Sequence, residues 1–198
     1  MLNKKKIFQT LLTFVIIIVF AFSLTSCAIE NLFTTTDIDT NIENYETKRT
    51  EVVSAKDYMP PLSELGEYEN VSFGYKITGF VFESETISLF ISYSSESYLE
   101  NKEQLLSRYQ FFNEAVVSYD GYYRMPVSEI DYGGYHFQIA SNDKYSPCKL
   151  FVMVGYDDAN CRLALCYFYD VELDYIAEPD ENPSEKMQEF IERYFVEI

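Results

Sequence analysis

The stretch KLFVMVGYDDANCRLALCYFYD, residues 149–170, constrains the fold more than any other part of the chain. Two apolar runs meet there at a polar turn, Asp157 to Asn160. Side chains alternate between the faces of a strand, so each face can be followed separately. Pairing Tyr156 with Cys161 sets Met153 opposite Ala164 and Phe151 opposite Cys166 on one face. Leu150, Val152, Val154, Leu163 and Leu165 take the other. Both faces are apolar, so neither can be left in water. Such strands belong in the middle of a sheet, covered on both sides.

Neighbouring strands are at hand. YKITGFVF and ETISLFISY are rich in β-formers and meet at a short Glu/Ser turn, which predicts a hairpin. PVSEIDYGGYHFQIA predicts a second one around Gly133-Gly134. Pairing Tyr132 with Tyr135 puts Ile130 beside Phe137 and Ser128 beside Ile139 on an apolar face. Glu129, Asp131, His136 and Gln138 fall on the opposite, wet face.

Two helices supply cover. In SYLENKEQLLSRYQFF, Ser97 and Glu100 form a capping box, and Tyr98, Leu105, Tyr109 and Phe112 share a face. In NPSEKMQEFIERYF, Asn182 is the N-cap, Pro183 suits the first helical position and Glu185 completes the cap. Met187, Phe190, Ile191 and Tyr194 make the apolar stripe. The expected fold is α+β: an antiparallel sheet of about seven strands, with helices at about 97–110 and 183–195, one on each face. It occupies 67–198 as a single domain.

The start of the chain has a different character. Lys4 to Lys6 precede an apolar run, Leu11 to Phe22, which closes on Leu24-Thr25-Ser26-Cys27. A charged start, a short apolar middle and small residues describe an export signal over 1–26. A spanning helix wants about 20 apolar residues, and the stretch from Ile7 to Leu24 is a marginal span, so a single uncleaved anchor is the alternative. The LTSC ending resembles the lipobox of bacterial lipoproteins. That resemblance implies cleavage before Cys27 and a lipid on its thiol, tethering the protein to the outer face of the cell membrane. Two acyl chains anchor stably where one binds only marginally. Residues 27–66 are polar and acidic, with little periodicity, and predict a flexible tether spanning on the order of 35 Å, with a short strand around Glu51 to Ser54.

Charge narrows the partners. From Cys27 onward there are 12 basic and 32 acidic residues, a net of −20. Nucleic acid is disfavoured, since phosphates demand Lys and Arg. Close apposition to anionic lipid heads is disfavoured too. Cys148, Cys161 and Cys166 make an odd count without a C-x-x-C, so buried or half-buried free thiols are expected. The phosphate-loop, dinucleotide and nucleophile-elbow motifs do not occur. No cofactor and no metal is expected; the Asp157 to Asn160 cluster is turn chemistry and lacks calcium-loop spacing.

Two groups of residues could carry function. YDGYYRMP, 119–126, crowds Tyr119, Tyr122, Tyr123 and Arg124 around a glycine turn. Tyr and Arg are enriched at binding hot spots. The competing reading places these tyrosines as cover for the sheet edge. The only histidine, His136, faces Asp131 across its hairpin, and an exposed cross-strand pair is the preferred reading. The alternative is a small envelope hydrolase pairing His136 with Cys148. From about residue 90 onward, the order strand, SYLENKEQLL helix, VSEIDYGGYHFQIA hairpin, apolar hairpin and MQEFIERYF helix resembles the PsbP-like fold. Members of that fold mostly act as binding or assembly factors, and no catalytic residues come with it. A surface-anchored, non-enzymatic lipoprotein that binds a protein or envelope component is therefore expected.

Overall fold

In a computed structural model, residues 35–79 and 83–196 are described. The leader 1–26 and the expected lipidation site Cys27 lie outside the described residues. The chain runs β1 (Thr35–Asp39), α1 (Tyr45–Glu51), α2 (Ala55–Tyr58), β2 (Asn70–Gly79), β3 (Glu83–Ser92) and α3 (Tyr98–Leu106). It continues through β4 (Val116–Val117), β5 (Tyr123–Met125), β6 (Glu129–Tyr132), β7 (Tyr135–Ala140), β8 (Leu150–Asp157), β9 (Arg162–Tyr169) and α4 (Pro183–Tyr194). Seven strands form one antiparallel sheet in the order β1-β2-β3-β9-β8-β7-β6, and β4 and β5 make a separate ribbon. The doubly apolar hairpin β8–β9 thus lies between β3 and β7, mid-sheet, as its composition demands.

Its side chains feed two cores. Val152, Val154, Leu163, Leu165 and Tyr167 join the first core, with Tyr98 and Leu105 of α3. Phe151, Met153, Ala164, Cys166 and Phe168 join the second, with Met187, Phe190 and Ile191 of α4. One helix therefore covers each face. The faces fall as expected, but the register does not. Tyr156 pairs with Leu163, Met153 with Cys166 and Phe151 with Phe168, a slip of two residues from the expected pairing. An even slip preserves the faces, because side chains repeat every two residues. The reason lies in the turn. Asp157 stays in the ladder opposite Arg162 and accepts hydrogen bonds from Asn160 N at 3.1 Å, Asn160 Nδ2 at 2.7 Å and Arg162 Nε at 3.0 Å. Cys161 closes the loop in the left-handed region at φ 53°.

The expected tether is corrected from residue 36 onward. Residues 36–66 belong to the same compact unit as the sheet. Tyr45, Val52, Ala55, Tyr58, Met59 and Leu65 are buried in the first core, beside α3. Tyrosine hydroxyls tie this segment down: Tyr45 Oη donates to Pro60 O at 2.6 Å, Tyr93 Oη to Leu65 O at 2.8 Å, and Tyr167 Oη to Val53 O. The short strand expected at 51–54 is instead the end of α1 and a bend, with Ser54 at φ 56°. β1 adds a seventh strand that the sequence reading had placed in the tether.

Both helices meet their expected positions with local differences. α3 stops at Leu106, short of 110, and Ser97 makes no side-chain cap; its backbone N–H instead donates to Ser94 Oγ at 3.3 Å. Phe112 lies beyond the helix and packs in the second core, away from Tyr98. α4 is capped as expected: Asn182 Oδ1 accepts from Ser184 N at 3.1 Å and Glu185 N at 3.4 Å. Its last carbonyls meet the sheet. Lys76 Nζ donates to Arg193 O at 2.7 Å and Phe195 O at 3.3 Å, and Thr86 Oγ1 donates to Tyr194 O at 2.9 Å. A cation at a helix C-terminus complements the partial negative charge there.

Candidate binding surface

The YDGYYR segment folds into a tight loop leading into β5. Ser118 N donates to Tyr122 O at 2.8 Å, and Gly121 N to Ser118 O at 3.0 Å. Gly121 adopts φ 91°, which a residue with a Cβ rarely takes. Ser118 Oγ donates to the Asp120 carboxylate, which holds Asp120 below the usual carboxylate range. These bonds leave Tyr119 at the tip with its side chain wholly in solvent, at 101% relative exposure. Tyr122 turns back onto Tyr175, with ring centroids 4.5 Å apart.

The four residues singled out in the sequence do not form one patch. Tyr119 is exposed, whereas Tyr122, Tyr123 and Arg124 are half-buried. Tyr123 N donates to Ala177 O at 2.9 Å, and Ile176 N donates to Tyr123 O at 2.9 Å, so the loop is stitched to the segment entering α4. Arg124 donates to Tyr145 O, and Tyr145 is itself an exposed aromatic. Tyr145 and Tyr175 escaped the sequence reading. The available signal for Tyr175 was an apolar pair, Tyr175-Ile176, set in an acid-rich run.

Beside Tyr175 a groove of about 310 Å³ separates the 173–178 segment from α4. Leu173, Ile176, Phe190 and Tyr194 line it with apolar surface, Glu178, Glu181 and Glu189 add carboxylates, and Arg193, near the end of α4, adds a guanidinium. Lys186 lies among them, 3.2 Å from Glu181 Oε1 and 2.8 Å from Glu189 Oε2. These hydrogen bonds, Glu189 first, raise the pKa of Lys186. Partial burial, followed by the Glu178 charge, raises that of the Tyr175 hydroxyl. A larger recess of about 680 Å³ is lined by residues 110–117, Ser141 and Lys144, and its only charged lining groups are Glu114 and Lys144.

The alternative pair is not brought together. His136 Nδ1 lies 2.8 Å from Asp131 Oδ1 and its Nε2 3.7 Å from Glu129 Oε2, while the ring packs on Tyr156 at 5.1 Å. This is the cross-strand pair that the hairpin register implies. Cys148 sits in a 3-10 turn just before β8, whereas His136 pairs with Tyr156 near the far end of that strand. At about 3.3 Å per residue, the six steps of β8 from Leu150 to Tyr156 alone hold the two about 20 Å apart. Cys148 is fully buried and its Sγ donates to Leu173 O at 3.4 Å and Asp174 O at 3.3 Å. Burial pushes its thiol up to about 11, away from the thiolate that nucleophilic attack needs. Cys161 and Cys166 are free as well, and burial pushes Cys166 up to about 12. Among the described residues no group of three or more His, Cys, Asp or Glu is placed to hold a metal ion.

Fold and surface together define a single α+β sheet domain with an exposed tyrosine loop beside an acid-rimmed apolar groove. No family model, no curated protein and no solved structure matches the chain. Among the described residues no helix is long and apolar enough to cross a membrane.

Proposed function

We propose that this chain is a bacterial lipoprotein anchored to the outer face of the cell membrane through Cys27, and that its domain binds a protein or cell-envelope component without catalysing a reaction. The observation that carries the binding role is Tyr119, wholly exposed on a loop that its own hydrogen bonds hold in shape. An aromatic carried on a pre-shaped loop has only its two side-chain torsions left to fix on docking, so little freedom is lost. The anchoring role rests on the lipobox resemblance at 24–27 and on the chain's acidic balance, which suits a domain held off a charged surface. A hydrolase pairing Cys148 with His136 gains no support from a fold that puts them at opposite ends of β8.

Two measurements test this. Cells fed radiolabelled palmitate should label the wild-type chain and not Cys27→Ala; an unlabelled wild type sinks the anchor. A photoreactive amino acid at Tyr119 should cross-link one discrete partner in intact cells, and the same probe at Leu99, an exposed residue on α3, should not. Equal adducts at both positions, or none at either, refute the binding role of the loop.

A further inference from the structure

We propose that the groove between the 173–178 segment and α4 docks a basic segment of a partner protein, with Lys or Arg side chains flanking an apolar anchor. This rests on the binding role proposed above and specifies the partner's chemistry. Residues 170–193 hold nine acids against two cations, Lys186 and Arg193, a net of −7 out of −17 for the whole chain. That charge surrounds an apolar floor. Leu173, Ile176 and Tyr194 are only partly covered, and Phe190 lies beneath them. A solvated acidic face has no use for such a floor, while a bound aliphatic or aromatic side chain would complete its burial.

The groove already shows how it holds a cation. Lys186, the one lysine of that run, is held between Glu181 and Glu189. Glu178 is free of any ion pair among the described residues and stands next to Tyr175. Tyr175 and Tyr122 add a tilted aromatic pair at the rim, a surface that attracts a guanidinium or ammonium group. Tyr119 extends the same loop, and the Gly121 backbone lies against Pro179, so loop and groove are continuous. Anionic polymers and anionic lipid heads carry the wrong charge for this surface. A basic polypeptide segment carries the right charge and can also supply the anchor.

The test uses the full-length purified chain and a fluorescein-labelled twelve-residue peptide of alternating Lys-Leu and Arg-Leu. Its counterparts carry Glu for each cation or Ser for each Leu. The basic peptide should bind, and both counterparts should bind at least about tenfold more weakly. Binding should weaken steeply at 1 M salt, where the screening length falls to about 3 Å. Glu178→Gln/Glu181→Gln/Glu189→Gln and Tyr175→Ala should each weaken it about tenfold, with circular dichroism and melting unchanged. Glu96→Gln/Glu100→Gln/Glu103→Gln, near α3 on the opposite sheet face, removes the same charge and should leave it unchanged. Equal loss in both triple variants would reduce the effect to net charge and overturn the proposal. Spermine binding as tightly as the peptide would do the same, because it has no anchor. If the peptide fails while Tyr119 still cross-links a discrete partner, the groove is wrong and the binding role stands; if both fail, both fall.

Discussion

Tyr45 decides whether residues 36–66 are structure or tether. Its ring is completely buried, meets Phe73 edge-on at 5.7 Å between centroids, and its hydroxyl donates to Pro60 O at 2.6 Å. Tyr45→Phe keeps the ring and leaves one carbonyl without its donor, a cost of about 1 kcal/mol. Tyr45→Ala also empties a ring-sized volume between α1 and the sheet. Truncations of that kind cost about 3–5 kcal/mol, and about 4 is expected here. For a unit of this size 1 kcal/mol lowers Tm by about 3 °C, so the two variants should melt about 3 °C and about 12 °C below the wild type. Urea unfolding followed by circular dichroism should remain one cooperative transition, because α1, α2 and the sheet share a core. If Tyr45→Ala lies within about 0.5 kcal/mol of the wild type, as exposed substitutions do, residues 36–66 contribute nothing to the fold. A separate early transition would equally refute a shared core.

Gly155→Ala should cost about 1–3 kcal/mol in the same assay, because its Cβ would lie 2.5 Å from Cε1 of the fully buried Phe137. Phe137→Leu should destabilise the fold on its own, yet cost less in the Gly155→Ala background, where it relieves the clash. Stability should also fall with alkali. Cys148 and Cys166 titrate at about 11 and about 12 in the fold, against about 8.5 in an unfolded chain. Above pH 8.5 the unfolded chain releases these protons first, so the stabilisation present below that pH is lost as pH rises towards 12. Alanine at both positions should flatten that part of the pH profile, and an unchanged slope would refute the assignment.

The central hairpin was legible because its two faces could be read independently of register. That is why a two-residue slip left every residue of β8 and β9 on its expected face. The slip itself was not legible. It depends on Asp157 preferring Arg162 and Asn160 as partners, and on Cys161 accepting a left-handed backbone. The 36–66 layer was illegible for another reason. Its helices span seven and four residues, too short for a 3.6-residue period to emerge from Tyr45, Val52, Ala55 and Tyr58. Of the binding surface, the tyrosine loop stood out by composition. Its partner Tyr175 did not, because their contact crosses more than fifty residues of chain.

The groove walls show where the apparently chemical residues go. One wall is α4, held at its start by Asn182 and at its end by Lys76 and Thr86. The other, 171–178, is irregular chain that would be mobile if left alone. It is fastened from beneath at several points. The Asp170 carboxylate accepts from Glu172 N at 2.7 Å, Leu173 N at 3.2 Å and Ser84 Oγ at 2.6 Å. Lys149 Nζ donates to Val171 O at 2.8 Å, Cys148 Sγ reaches the Leu173 and Asp174 carbonyls, and Tyr123 pairs with Ala177. Cys148, suspect as a nucleophile, thus serves as a buried donor under the wall, and Tyr123, suspect as a contact, serves as its clamp. Fixing both walls before a partner arrives removes ordering entropy from the docking step. An irregular segment this thoroughly fastened, opposite a helix capped at both ends, is better suited to presenting a surface than to moving over one.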